Sequence, residues 1–388
     1  MKLKFLSSGE SHGKCLNAII DGVPANFEIS VEKINDELAK RQMGYGRGGR
    51  MQIEKDKVLI NSGIRFGKTI GSPICLEIQN KDYKNWQTKM SVEKVDLSDN
   101  DVLQSILEAK ITKVRPGHAD LAGAIKYNQT DIRNILERSS ARETAIKVAV
   151  GSIAKQILEN FNIHIESQVL AIGNVEAKNF DENEQNDLNC KDRAAYELMK
   201  QEIDKAKENG ITLGGLVQIK ITGLPIGLGS YVNWERRLDG NLARAIMSIQ
   251  AVKSVEIGLG KQVAFLEGNY VHDEIFYENG KIIRKTNNAG GIEGGMSNGE
   301  PIIITFAMKP IPTMKTSLSS IDIETKEAIS AHFERSDTCA VSACGIVAEN
   351  MSAIVILNEF LEKFGGDSFE EISTNYENYI NMITKRLQ

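Results

Sequence analysis

The residues that could do chemistry sit in short polar turns and in basic, glycine-rich loops. His12 lies in Gly9-Glu10-Ser11-His12-Gly13, and His118 lies in Arg115-Pro116-Gly117-His118-Ala119-Asp120. A histidine in a turn can exchange protons near neutral pH, although most such histidines are simply solvated. Asp337 follows Arg335 in the stretch His332 to Cys339, which joins carboxylate and guanidinium in one turn. Arg138-Ser139-Ser140-Ala141-Arg142-Glu143-Thr144 sets two hydroxyls and two guanidinium forks at the head of a helix, where unpaired N–H groups favour an anion. Ser140 and Glu143 also have capping-box spacing. From Arg41 to Met51 three arginines (Arg41, Arg47, Arg50) alternate with four glycines. This is neither a Rossmann fingerprint nor a Walker loop. It suits a multiply charged phosphate or carboxylate, or else a solvated basic loop.

Asn287 to Thr313 is the most glycine-dense stretch. Gly290, Gly291, Gly294, Gly295 and Gly299 precede an apolar run that ends in Lys309-Pro310-Ile311-Pro312-Thr313. Glycines let backbone N–H groups approach a ligand closely, and the same pattern fits a hairpin that binds nothing. His164, His272 and His332 fall in strand or helix contexts and read as structural. No HExxH, paired-cysteine zinc spacing or GxSxG elbow occurs, so metal-hydrolase and serine-hydrolase readings lack support. Separate arginine-bearing loops imply several anionic groups in one pocket. A phosphorylated substrate and a phosphate-bearing cofactor would account for them.

The elements that must position these turns follow from apolar periodicity. Residues 3–7, 15–22, 74–78, 216–221 and 255–258 read as strands, and Ile302-Ile303-Ile304 as a buried one. Helices are expected at Val31–Lys40 behind the cap Ser30, after Ser140, at Ala194–Glu208, from Leu238 to near residue 250, at Ile321–Phe333, at Ala340–Phe364 and at about 369–386. Residues 177–212 are unusually polar and read as a surface insertion in a single large domain spanning 1–388. No clear βαβ rhythm appears, so antiparallel sheets layered with helices are expected in an α+β fold. Both halves run through strands, a basic glycine loop and a small-residue helix, which suggests pseudo-duplication.

With 388 residues, 41% hydrophobic and 26% charged, the composition is that of a globular protein. A net charge of −5 argues against a sequence-independent grip on nucleic acid. MKLKFLSS has no apolar core of a signal peptide, and no membrane span is expected. Five scattered cysteines, none in a CxxC, suit a reduced, cytoplasmic protein.

Eight motifs together resemble the chorismate synthase family. They are GESHG at 9–13, the RxxGYGRGGRM loop at 41–51, RPGHAD at 115–120, RSSARET at 138–144, SIQAVKSVEIG at 248–258, NNAGGIEGGMSNGEPI at 287–302, KPIPT at 309–313 and RSDTCAVSA at 335–343. They run in one order over nearly the whole chain. The resemblance implies a β-α-β sandwich assembled as a homotetramer. It implies a lyase that converts 5-enolpyruvylshikimate 3-phosphate to chorismate and phosphate by 1,4-anti elimination, the last shared step toward aromatic amino acids. Reduced FMN is required, with no net redox change. By motif, His12, His118 and Asp337 would be catalytic. Arg138, Ser139, Ser140, Gln250, Ala251, Gly294, Lys309, Pro310, Ile311, Pro312, Thr313 and Arg335 would contact FMN. Ser11, Arg41, Arg47, Arg115 and Arg142 would serve the substrate or NADPH. Arg335 would keep Asp337 ionised. No metal is implied. Reduced flavin would come from an external reductase. The rivals are a bifunctional form that reduces FMN with NAD(P)H, and a flavin- or phosphate-binding module without catalysis.

Overall fold

Alternating apolar residues build two antiparallel sheets. The computed structural model describes residues 2–49, 55–278, 280–334 and 336–387. The expected flavin contact Arg335 and residues 50–54 of the basic loop lie outside the described residues. The first sheet comprises β1 (Lys4–Ser8), β2 (Cys15–Asp21), β3 (Val58–Ser62) and β4 (Ile74–Gln79), in the order β1-β2-β4-β3. Leu16 pairs with Ile78 and Ile20 with Ile74, so the fully buried residues of β2 and β4 face the same side. The second sheet comprises β5 (His164–Ile172), β6 (Val175–Glu176), β7 (Gly215–Thr222), β8 (Val252–Ile257) and β9 (Ile302–Met308), in the order β8-β9-β7-β5-β6. Ile304 pairs with Ile219 and Phe306 with Val217, again all fully buried.

The helices are α1 (Val31–Gln42), α2 (Asn100–Ala109), α3 (Asp120–Tyr127), α4 (Arg133–Ser139), α5 (Thr144–Glu159), α6 (Arg193–Glu208), α7 (Leu238–Met247), α8 (Val341–Phe364) and α9 (Phe369–Leu387). Ser30 caps α1 as expected, accepting the Lys33 N–H at 3.1 Å. Helix α5 packs on β2 and β4 and also on α8, which in turn packs on β5 and β7. The main core therefore lies between the sheets, around α5 and α8. Helix α8 is long and apolar enough to cross a membrane by length and composition, but its apolar window is 89% buried, as befits a core helix. A small satellite core (Ile111, Val114, Ala124, Ile132, Leu136) underlies the segment that carries His118.

Gly151 allows the close approach of α5 and α8. A β-carbon there would lie 2.7 Å from the backbone carbon of Asn350. Gly151→Ala should therefore cost about 1–3 kcal/mol through overpacking, read as a lowered thermal midpoint.

Two expectations need correction. Ile321–Phe333 is not a helix: Ser319–Ile321 pairs with Ala328–Ser330 as a hairpin. Asp322 accepts the N–H groups of Glu324 and Thr325, and Lys326 takes a φ of 66°, so turn chemistry overrides helical propensity. The capping box at 140–143 does not close. Ser140 accepts the Arg142 N–H, but the Glu143 carboxylate turns to Ser7 and Gln250. The polar excursion 177–212 carries the expected amphipathic helix. Asp192 caps α6, which buries Met199 and Ile203 completely.

Candidate active site

The N-terminal turn after β1 is held from below. Asn80 donates to the carbonyls of Glu10 and Gly13, at 3.0 and 2.7 Å. Arg142 donates from Nε to Asn80 and from Nη1 to both oxygens of buried Asp56, at 2.6 and 2.7 Å. Arg41 joins the same group, with Nε on Thr144, Nη2 on the Ala141 carbonyl and Nη1 3.6 Å from Asp56. Burial, then the neighbouring cations Arg142 and Arg47, bear down on the charge of Arg41, while Asp56 and Asp337 support it. Both arginines are buried in the frame of the turn. Both arginines thereby brace the turn, and Arg142 Nη2 keeps no hydrogen-bond partner among the described residues. Asp56 matches none of the motifs, which is why the sequence did not reveal this.

His12 rests on Glu137, whose Oε1 is 2.8 Å from Nδ1, and it stacks on Trp86 with ring centres 4.2 Å apart. Arg138 closes the other side of the turn, donating to the carbonyls of Gly9 and Ser7 at 3.1 and 3.0 Å. Ser140 Oγ meets Ser11 Oγ at 3.3 Å, and Ser139 Oγ donates to Ile135 O at 2.8 Å.

The second histidine turn is self-contained. Arg115 grips Asp120 from Nε and Nη2, at 2.8 and 2.9 Å, and its backbone N–H adds a third bond at 3.0 Å. Nδ1 of His118 is 2.5 Å from Asp120 Oδ1. Burial would push the Asp120 carboxyl up, but bonds from His118 and Arg115 outweigh it and hold the group well below the usual carboxylate range. Arg115 is thus spent on Asp120 and, through Nη1, on Thr313 at 3.1 Å. It thereby also ties the turn to the 309–313 segment.

Thr313 links onward, since Ser336 Oγ donates to its carbonyl at 2.9 Å. Asp337 Oδ1 then accepts the Gly48 N–H at 2.6 Å, and Oδ2 lies 3.1 Å from Arg47 Nε. Arg47 is therefore a counter-ion for Asp337. Arg47, Gly48, Thr313, Ser336 and Asp337 line a cavity of about 470 Å³.

The last wall comes from the second sheet. Lys309, just past β9, donates to the Gly117 carbonyl from Nζ and to the Ala251 carbonyl from its backbone. Burial, then Lys253, pulls its ammonium below the usual lysine value, a penalty that a bound anion would relieve. Gln250 donates to Glu143 at 3.0 Å, and Ala251 is held at a φ of 70°. One chain thus joins the turns of His12, His118 and Asp337 with the 138–143, 250–251 and 309–313 segments. Gly294 is not among them. It sits in the Ile292–Ser297 hairpin beyond the start of β9, whereas Lys309 follows its end, roughly 20 Å of strand away.

Two carboxylate-backed histidines and a third acid under arginine and lysine define an acid–base enzyme for an anionic substrate. A model of the chorismate synthase family matches residues 3–361. The chorismate synthase of Thermoanaerobacter pseudethanolicus is 54% identical over 379 residues, covering 97% of this chain and 98% of the relative. That of Alkaliphilus metalliredigens is 52% identical over 387 residues, covering 98% and 100%. A solved structure titled "Crystal Structure of Chorismate Synthase" superposes with a TM-score of 0.78 at 40% identity, covering 99% of both chains. The chain belongs to the chorismate synthase family.

Proposed function

We propose that the chain converts 5-enolpyruvylshikimate 3-phosphate to chorismate and phosphate by 1,4-anti elimination, with reduced FMN as cofactor. The observation that carries this reading is the meeting of three acid–base turns with basic segments from both sheets in one chain. His12 lies beside Ser11 on the turn that Arg138 clasps, where an imidazolium can neutralise and protonate departing phosphate. His118 sits on the turn that Arg115 ties to Thr313 and Lys309 ties through Gly117, beside the Lys309–Thr313 segment. Asp337, fixed by the Gly48 N–H and Arg47, is the group to carry a proton away.

The flavin set fits these residues. Gln250 Oε1 is buried without a hydrogen-bond partner among the described residues, and partial burial lowers the Lys309 ammonium. Arg138, Ser139, Ser140, Gln250, Ala251 and Lys309 to Thr313 would hold FMN, with Arg335 completing the set. Reduced FMN, when bound, supplies electron density to the allylic system and recovers it, so no net redox change results. Gly294 lies too far along β9 to join this set on one chain. A homotetramer is the arrangement that brings the glycine loop of one copy to the flavin of another. The finer architecture would be a β-α-β sandwich of pseudo-duplicated halves in one domain, 1–388. The protein would work in the cytoplasm with flavin reduced elsewhere.

Under anaerobic conditions with dithionite-reduced FMN, the chain should turn the enolpyruvyl substrate into a product with chorismate absorbance. No product would overturn the assignment. Product from NADPH and oxidised FMN alone would assign flavin reduction to this chain as well.

A further inference from the structure

One buried carboxylate outside every motif above touches a reacting side chain. Glu137 is 2% exposed. Its Oε2 accepts the backbone N–H of His12 at 2.7 Å, its Oε1 meets the ring Nδ1 at 2.8 Å, and its carbonyl accepts the Ser11 N–H at 2.9 Å. One residue thereby fixes both the backbone of the turn and one edge of the imidazole.

Glu137 is itself held. Arg133, one turn earlier on α4, donates from Nη1 to Glu137 Oε1 at 3.3 Å and to Glu334 Oε1 at 2.9 Å. Its Nε donates to the Ala109 carbonyl at 3.0 Å. The guanidinium carbon lies 4.9 Å from the ring centre of Trp86, the same indole on which His12 stacks with 24° between planes. Burial would raise the Glu334 carboxyl, but His332 and then Arg133 hold it down to about 2. The strut therefore ties the His12 turn to the segment that carries Asp337 three residues later.

We propose that Glu137, braced by Arg133, is a positioning residue that keeps a proton on Nδ1 of His12, so that Nε2 is the nitrogen that exchanges protons with the leaving group. The inference rests on the acid role of His12 stated above. A free imidazole rotates and divides between two tautomers. A carboxylate on one nitrogen selects the tautomer and the ring plane together.

Glu137→Gln tests this. The amide keeps the shape but loses the charge and one of the two acceptor oxygens, so the ring Nδ1 and the backbone N–H of His12 must share a single neutral carbonyl oxygen. With reduced FMN, kcat should fall about 10- to 100-fold while substrate KM and FMN affinity stay close to wild type. Long-range proton–nitrogen spectra of the imidazoles should show neutral His12 as the Nδ1–H tautomer in the wild type and as a mixture in Glu137→Gln. Glu137→Asp, which keeps both oxygens, should recover part of the rate and of the tautomer. A wild-type Nε2–H tautomer would overturn the proposal even if the variants fold poorly, and so would a Glu137→Gln enzyme of normal kcat. His12→Ala separates the two readings. If it stays active, the acid role itself fails. If it is inactive while Glu137→Gln is normal, only this inference fails.

Discussion

His118→Ala should lower turnover by roughly 10²-fold or more, the usual worth of a positioned acid or base, and leave FMN binding largely intact. The structure makes this substitution a clean one. Asp120 keeps both guanidinium bonds and the backbone N–H of Arg115 when the imidazole is gone. Arg115 keeps Thr313, so the 309–313 segment stays in place. No buried charge is stranded, and folding should be nearly unaffected. Anaerobic single-turnover measurements with reduced FMN, beside a flavin titration, check both halves of the expectation. Unchanged turnover would remove His118 from the mechanism. A parallel loss of FMN affinity would assign it to cofactor binding instead.

The turn of His118 was legible because its chemistry is local, whereas His12 finds its carboxylate partner far along the chain. In the 115–120 turn, arginine, histidine and aspartate lie within six residues, and they bond to one another. The partners of the arginines were not legible, because they are brought together only by the fold. Asp56 has no signal around it, yet it takes Arg142 and lies beside Arg41. Arg47 and the Gly48 N–H reach Asp337 from the other end of the chain, which no local spacing announces. Glu137 adjoins a recognised motif, but nothing in its type or spacing says that it faces His12. The sheets and the core helix α8 were legible from periodicity. The 319–330 hairpin was not, because its polar residues suit an exposed helix as well as a ribbon, and Asp322 decides through two backbone bonds. By motif the glycine stretch at 287–301 reads as one wall of the flavin site, and it lies close in sequence to Lys309. Strand β9 turns that closeness into distance.

Lys155→Met should destabilise the fold by about 3–5 kcal/mol, the cost of breaking a buried ion pair from one side. Lys155 bridges Glu37 at 3.0 Å and Glu349 at 2.8 Å, where α1, α5 and α8 meet. Burial would push the Glu37 carboxyl up, but Lys155, Lys40 and Asn350 outweigh it and bring it from 4.5 down to about 2. Burial would likewise lower the Lys155 ammonium, and the two carboxylates instead raise it. A carboxyl depressed on folding stabilises above its unfolded value and loses that contribution as pH falls. For Glu37 the loss runs from about pH 4.5 to about pH 2. Without Lys155, Glu349 loses its paired cation and Glu37 keeps Lys40 alone among the described cations, so protonation relieves them. The gap between variant and wild type should therefore be widest at neutral pH and narrow as pH falls below 5 or so. Glu37→Gln in the Lys155→Met background removes one of the stranded charges and should recover part of the loss. Denaturant unfolding at fixed protein concentration between neutral and acid pH measures all three effects. A gap that does not change with pH would mean that Lys155 acts through its methylene packing and not through its charge.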